Sequence, residues 1–245
     1  MHGKDSVLKT TLQIAVRALV EHVLRSGDLD SGFLGSGRAV EGTRAHQAVQ
    51  GTRPEGYSPE VPVSYRIESE QFTLTVSGRI DGVYEHTDPV IIEEIKTTTR
   101  SIDDLANRDN PLHWGQLKCY AFIFASERNI DQIEAHLTYV QLDSGDIHTF
   151  QRNFSRSELD FFFRDLTTKY LRWAQTLADW TVLRDGSARA LEFPYPEYRP
   201  GQRQLAVAVY RTMRDHDHLL ARAATGIGKT MATIFPAVKA LAQGI

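Results

Sequence analysis

At 245 residues the chain has room for one large domain or for one domain and the start of another, and its 41% hydrophobic and 24% charged residues exclude disordered and fibrous classes. The formal net charge of −3 argues against binding nucleic acid through an overall positive field, so a local basic groove would have to do that work, while an acidic balance suits a site that gathers carboxylates around a cation. Cys119 is the single cysteine, which rules out an intrachain disulfide and a four-cysteine cluster and favours a reducing, cytoplasmic setting; no stretch approaches a membrane span.

From the amino terminus, Ile14, Leu19, Val20, Val23 and Leu24 recur at helical spacing until Ser26-Gly27-Asp28 ends the run. The spacing predicts an amphipathic helix, and Arg17 and Glu21 within it exclude a signal peptide. After a glycine- and serine-rich loop, Arg38 to Gln50 reads as a second helix that carries His46 and is stopped by Gly51 and Pro54. The period then changes to two. Val61, Val63, Tyr65 and Ile67 alternate with smaller or polar residues, as do Phe72, Leu74, Val76 and Gly78, and Val90 to Lys96 is a β-branched run after Asp88-Pro89. Three consecutive antiparallel strands follow from this pattern, with the turn around His86 to Pro89 bringing Asp81 beside Glu94 and Lys96.

Asn110-Pro111 starts a helix over Leu112 to Ala125, and Ile133 to Leu142 and Ile147 to Phe154 read as two strands around the Asp143-Ser144-Gly145-Asp146 turn. Ser155 with Glu158 three residues on is a capping box opening a long amphipathic helix to about Leu183. Asp185-Gly186-Ser187 and the proline-rich run to Gly201 then read as a linker before a different module. The expected domains are residues 1–184, a linker over 185–197, and 198–245.

Side chains alternate along a strand, so in Glu93-Glu94-Ile95-Lys96 the Glu94 and Lys96 side chains project together. Glu94 and Asp81 can hold a hard divalent cation through oxygen, with backbone carbonyls such as that of Ile95 and water completing the shell, while Lys96 faces the attacked phosphate. Gln116 and Tyr120 lie four apart, on one face of the following helix. The order Asp81, Glu94-x-Lys96, Gln116-x-x-x-Tyr120 resembles the PD-(D/E)xK nucleases in their RecB-like branch, which bears the QxxxY motif. That resemblance implies a restriction-endonuclease-like α/β fold, a mixed central sheet flanked by helices, and a metal-dependent DNA nuclease using Mg²⁺ or Mn²⁺. It implies catalytic roles for Asp81, Glu94 and Lys96 and substrate contacts from Gln116 and Tyr120. Glu41-Gly42-Thr43-Arg44-Ala45-His46 resembles the branch's G-x-x-x-H segment, which makes His46 a further metal ligand. Some relatives hold an iron-sulfur cluster through cysteines; this segment cannot.

Near the carboxyl end, Ala223-Ala224-Thr225-Gly226-Ile227-Gly228-Lys229-Thr230 has the glycines, lysine and hydroxyl that a P-loop needs around phosphates and Mg²⁺. Leu219-Leu220-Ala221 reads as the strand before it. Tyr198 to Gln204, including Arg199 and Gln204, is similar to the adenine-sensing Q motif of DinG- and XPD-type superfamily 2 helicases, in which Ala223 in place of the first glycine is common. The resemblance implies a truncated, RecA-like ATP-binding segment at Arg199, Gln204, Thr225, Gly226, Gly228, Lys229 and Thr230, with ATP used only by a complete protein and no motor activity from this chain. Linkage to such a motor implies single-stranded or unwound DNA as partner. The rival expectation is a non-catalytic DNA-binding module of a DinG-like helicase.

Overall fold

The structure, a computed structural model, describes residues 9–26, 36–100 and 110–245. The expected glycine- and serine-rich loop lies largely outside these residues. Two compact units divide at Leu171 and Arg172.

The first unit is built on a mixed six-stranded sheet of β1 (Thr10–Ala15), β2 (Tyr57–Glu68), β3 (Phe72–Tyr84), β4 (Val90–Thr98), β5 (Gln132–Gln141) and β6 (Ile147–Ser155). The helices are α1 (Val16–Leu24), α2 (Ser36–Gly51), α3 (Pro111–Arg128) and the start of α4 (Arg156–Ala190). Strand β1 corrects the sequence reading: Ile14 sits on a strand and the helix begins only at Val16. Thr10, Thr11, Leu12 and Ile14 lie along β3 in parallel register, from Thr10 opposite Phe72 to Ala15 opposite Ser77, and this long-range pairing overrides a helical spacing that begins at Ile14.

The expected antiparallel run β2-β3-β4 is present. β2 takes one edge of β3 from Thr73 to Tyr84, so β1 and β4 must share the other. β1 covers it as far as Ser77, and β4 pairs only at Gly82 to Tyr84. Between them Gly78-Arg79-Ile80-Asp81 faces a gap in the sheet. Parallel pairing of β4 with β5, running from Val90 opposite Ile133 to Thr98 opposite Gln141, holds β4 straight past that gap.

The main core lies between the sheet and the α1, α3 and α4 side, where Leu19, Leu74, Ile92, Leu117, Phe124, Leu137, Leu159 and Phe163 are fully buried. Burial of such side chains is worth about 1.5–3 kcal/mol each. Asn110 caps α3 through its side-chain oxygen, which accepts from the backbone of Leu112 and His113, with Pro111 in the first helical position. The capping box at α4 forms as read: Ser155 Oγ accepts from Glu158 N at 3.3 Å, and Glu158 Oε2 accepts from Ser155 N at 2.8 Å. α4 continues to Ala190, through the Asp185-Gly186-Ser187 stretch read as linker. An isolated Gly186 costs only about 1 kcal/mol in a helix, which a long flanking run can absorb.

On the opposite face, α2 meets β4 through a small cluster of Val49, Ile95 and Val140 with Ala45 against it. The second unit contains α5 (Gln202–Arg214) and α6 (Lys229–Leu241), and Phe193 stacks on Tyr198 with ring centroids 3.9 Å apart. Leu219-Leu220-Ala221 forms no strand there, a correction with a plain cause: no strand among the described residues of this unit offers an edge to pair with. Among the described residues no helix is long and apolar enough to cross a membrane.

Candidate active site

The gap between β1 and β4 is where the chemistry collects. Past the Gly82–Glu93 pair the β3–β4 ladder stops, and the Asp81 side chain takes over from the backbone: its Oδ2 accepts from Ile95 N at 2.7 Å. The Asp81 carbonyl accepts instead from Gln50 Nε2 at 2.9 Å and Tyr57 Oη at 3.2 Å. Gly82 has no side chain because Tyr57 lies against it; a Cβ there would come within 1.9 Å of the tyrosine oxygen.

Strand alternation puts Glu94 and Lys96 on the α3 side and Glu93 and Ile95 on the α2 side, as the sequence predicts. Glu94 is 2% exposed. Its Oε1 accepts from Lys96 Nζ at 2.5 Å, and its Oε2 is buried with no hydrogen-bond partner among the described residues. Lys96 Nζ also donates to Gln116 Oε1 at 3.0 Å. Gln116 and Tyr120, expected to touch substrate, are themselves buried, and Tyr120 fits under Gly78, where a Cβ would approach its ring to 2.7 Å. His46 reaches the site from α2, with Nδ1 4.0 Å from Asp81 Oδ2.

Burial lifts the Glu94 carboxyl to about 7, against the opposing pull of Lys96 and with the Asp81 charge adding to the rise. Asp81 is also raised, by burial first, with the Ile95 N–H, His46 and Lys96 pulling the other way. Burial, then the charges of Lys96 and Arg17, lowers His113 to about 4, so it is neutral near pH 7 while its Nδ1 pairs with the Tyr139 hydroxyl at 2.7 Å. A cavity of about 320 Å³ reaches His46, Lys96, His113 and Gln116 of this group, with Arg17 and Thr97 also in its wall.

Among the described residues, no three His, Cys, Asp or Glu side chains are gathered closely enough to hold a metal ion as they stand. The chemistry of the donor set nevertheless fits a hard divalent cation: two carboxylates converge, and Glu94 keeps one buried oxygen that no described residue satisfies. An orphaned anionic oxygen is costly to bury unless a cation accounts for it.

A profile of the PD-(D/E)XK nuclease superfamily matches residues 7–236. The chain belongs to that superfamily. As a PD-(D/E)XK protein it sits in a superfamily of nucleases whose members generally use divalent metals, and its mixed sheet flanked by helices is the corresponding restriction-endonuclease-like core. The crystal structure of SSO0001 is similar to 66% of this chain and to 79% of its own, at 17% identity and a TM-score of 0.43. No curated protein matches the sequence.

Sequence reasoning missed several residues of this candidate site: Gln50, Tyr57, Glu93 and Arg53 behind it, Arg17 and His113 along its cavity. Gln50 carried a usable signal, since it stands four residues after His46 on the same helical face, whereas Arg53 lies past Gly51, where the sequence ends the helix. Arg17 and His113 carried none, because only the tertiary fold brings α1 and α3 together.

In the second unit, Gly226 and Gly228 have φ of 86° and 80°, and Lys229 opens α6 with its Nζ donating to the carbonyls of Ala223 and Ala224 at 2.8 and 2.9 Å. Thr225 and Thr230 are exposed. Arg199 donates to the Gly226 carbonyl at 2.6 Å. The other contact to the loop comes from Gln202, which donates to the Gly228 carbonyl at 3.0 Å, while Gln204 is exposed.

Proposed function

We propose that the chain is a metal-dependent deoxyribonuclease of the RecB-like, QxxxY-bearing branch, acting on single-stranded or unwound DNA. The observation that carries this reading is the meeting of Asp81, Glu94 and Lys96 at the sheet gap, with a buried Glu94 oxygen left for a cation. Asp81, Glu94, the Ile95 carbonyl and His46 would hold Mg²⁺ or Mn²⁺; imidazole favours Mn²⁺. The chemistry supplied by such an ion is polarisation of the phosphate and activation of water at neutral pH. Lys96 orients the attacking water and offsets the charge that builds on the phosphate. Gln116 holds Lys96 in place, backed by Tyr120; both are buried, and Gln116, which lines the cavity, is the one placed to meet substrate there.

The second unit, in this reading, carries the threshold of a DinG/XPD-type ATP-binding domain: the nuclease domain spans 1–184, a connection that begins as the last turns of α4 spans 185–197, and the ATP-binding segment starts at 198. Support comes from the Arg199 and Gln202 contacts to the glycine loop, and from a cavity of about 410 Å³ lined by Tyr195, Arg199, Gln202, Gly228 and Met231, where a base could stack. Such a nuclease-helicase would work in DNA repair. A cytoplasmic setting suits the lone, buried Cys119.

The test is cleavage of labelled single-stranded DNA with Mn²⁺ or Mg²⁺, with Lys96→Ala and Asp81→Ala beside the wild type. Metal-dependent cutting that both variants lose is expected. Equal degradation by all three proteins removes the catalytic claim and leaves a DNA-binding module.

A further inference from the structure

The helix that carries His46 has little apolar surface with which to grip the sheet. Among its described side chains only Ala45 and Val49 join a hydrophobic cluster. Polar contacts do the rest, and they fall on one face. His46, Val49, Gln50 and Arg53 follow the i, i+3, i+4, i+7 pattern, because the chain keeps turning after Gly51: Thr52 N and Arg53 N donate to the carbonyls of Val49 and Gln50 at 3.0 and 3.2 Å. At the far end of this face Arg53 forms a two-pronged ion pair with Glu93, Nε to Oε2 at 3.2 Å and Nη2 to Oε1. Glu93 is 1% exposed and accepts a further hydrogen bond from Thr138 Oγ1 at 2.6 Å.

Buried ion pairs are seldom better for stability than apolar residues of the same volume, so their worth lies more in direction than in energy. Here the direction is specific. Glu93 immediately precedes Glu94 on β4, and Arg53 is seven residues beyond His46. A planar guanidinium locked on a carboxylate fixes both the rotation and the height of α2 over β4, which the Val49 contact alone cannot do.

We infer that Arg53 and Glu93 are positioning residues, a clamp that registers α2 against β4 and so holds His46 at the Asp81–Glu94 cation site. The inference rests on the reading that His46, Asp81 and Glu94 bind a divalent cation.

The test is Mn²⁺ binding by calorimetry, with Tm measured in parallel, on wild type and on the paired variant Arg53→Met with Glu93→Leu, which removes both charges together. The expected result is an unchanged or raised Tm with Mn²⁺ affinity weakened by roughly tenfold, the size seen when partners behind metal ligands are lost. In a His46→Ala background the same pair of changes should weaken Mn²⁺ by less than about twofold, since the clamp acts through His46. Wild-type affinity in the paired variant, or an undiminished loss in the His46→Ala background, overturns the clamp. If the paired variant does not fold, Arg53→Lys decides: it keeps the charge but not the two-pronged geometry, and wild-type Mn²⁺ affinity there overturns the proposal while a severalfold loss supports it. Absence of Mn²⁺ binding by the wild type sinks the cation site itself, a result distinct from failure of the clamp.

Discussion

Lys96 donates from Nζ to Gln116 Oε1 at 3.0 Å, and Gln116 donates in turn from Nε2 toward the Tyr120 hydroxyl at 3.5 Å. The glutamine therefore spends its acceptor on the lysine proposed as catalytic and its donor on the protein interior. Gln116→Leu keeps the volume and removes the acceptor, so that, among the described residues, Lys96 keeps a hydrogen bond to Glu94 alone. A lost hydrogen bond to a charged group is worth about 1.5–3 kcal/mol, so kcat should fall about tenfold or more while KM stays within about twofold. Steady-state cleavage kinetics on single-stranded DNA read this directly. A raised KM at unchanged kcat would return Gln116 to the role of a substrate contact.

Glu94 gives the site a pH signature. Its carboxyl is raised from 4.5 to about 7, chiefly by burial, so the fold favours the protonated form. Its contribution to stability is fully present below about pH 4.5 and is lost as pH rises through 7, a cost on the order of 3 kcal/mol in the metal-free protein. Asp81, also raised by burial, pushes in the same direction. A bound cation needs both carboxylates ionised, so the Tm gained with saturating Mn²⁺ should be larger at pH 8 than at pH 5.5. Thermal melts of wild type and Glu94→Gln isolate the effect: the variant's metal-free Tm should exceed the wild type's at pH 8 but not at pH 5, and its Mn²⁺ gain should vanish. A wild-type Tm that falls no more than the variant's between these pH values would show that Glu94 ionises without penalty.

How far the site could be read from the chain follows from which forces act locally. Strand parity placed Glu94 and Lys96 together because alternation is a property of the backbone alone, and Ser155 with Glu158 marked its helix start because a capping box is closed within four residues. The helical spacing from Ile14 onward conceals the strand at Thr10–Ala15, because its pairing partner, Phe72–Ser77, lies far along the sequence. The same distance hid Glu93, which as sequence is one more acid in a charged strand and becomes a buried ion-pair partner only when Arg53 arrives. The site's setting at a gap between β1 and β4 was invisible for a related reason: it depends on two strands, distant from each other in sequence, that share one edge of β3.

Gly78 is the second place where β3 admits no side chain. A Cβ there would lie 2.7 Å from the Tyr120 ring and 2.8 Å from its hydroxyl, and the buried ring has little room to retreat. Gly78→Ala should lower stability by about 1–3 kcal/mol, the range for overpacking, and should also lower kcat, because the displaced tyrosine no longer backs Gln116. Urea melts and cleavage assays on the same preparation test both halves. Loss of stability with full kcat would separate Tyr120 from the lysine's support.

Gly228 offers a prediction for the second unit. Its φ of 80° suits glycine, and an added Cβ would meet Gln202 Nε2 at 2.2 Å, where that amide donates to the Gly228 carbonyl. Gly228→Ala therefore carries two penalties, a left-handed backbone costing about 1–2 kcal/mol and expulsion of Gln202 from the loop. Placed in a protein that carries a whole ATP-binding domain, this variant should lose binding of a fluorescent ATP analogue. Adding Gln202→Ala to Gly228→Ala removes the collision and leaves the backbone strain, so stability should return in part while nucleotide binding should not, because Gln202 itself braces the loop. Lys229→Met is the companion measurement: it leaves the loop's shape alone and removes the charge that would face the phosphates. Analogue binding retained in both Gly228→Ala and Lys229→Met would show that this glycine loop is a turn and not a phosphate cradle.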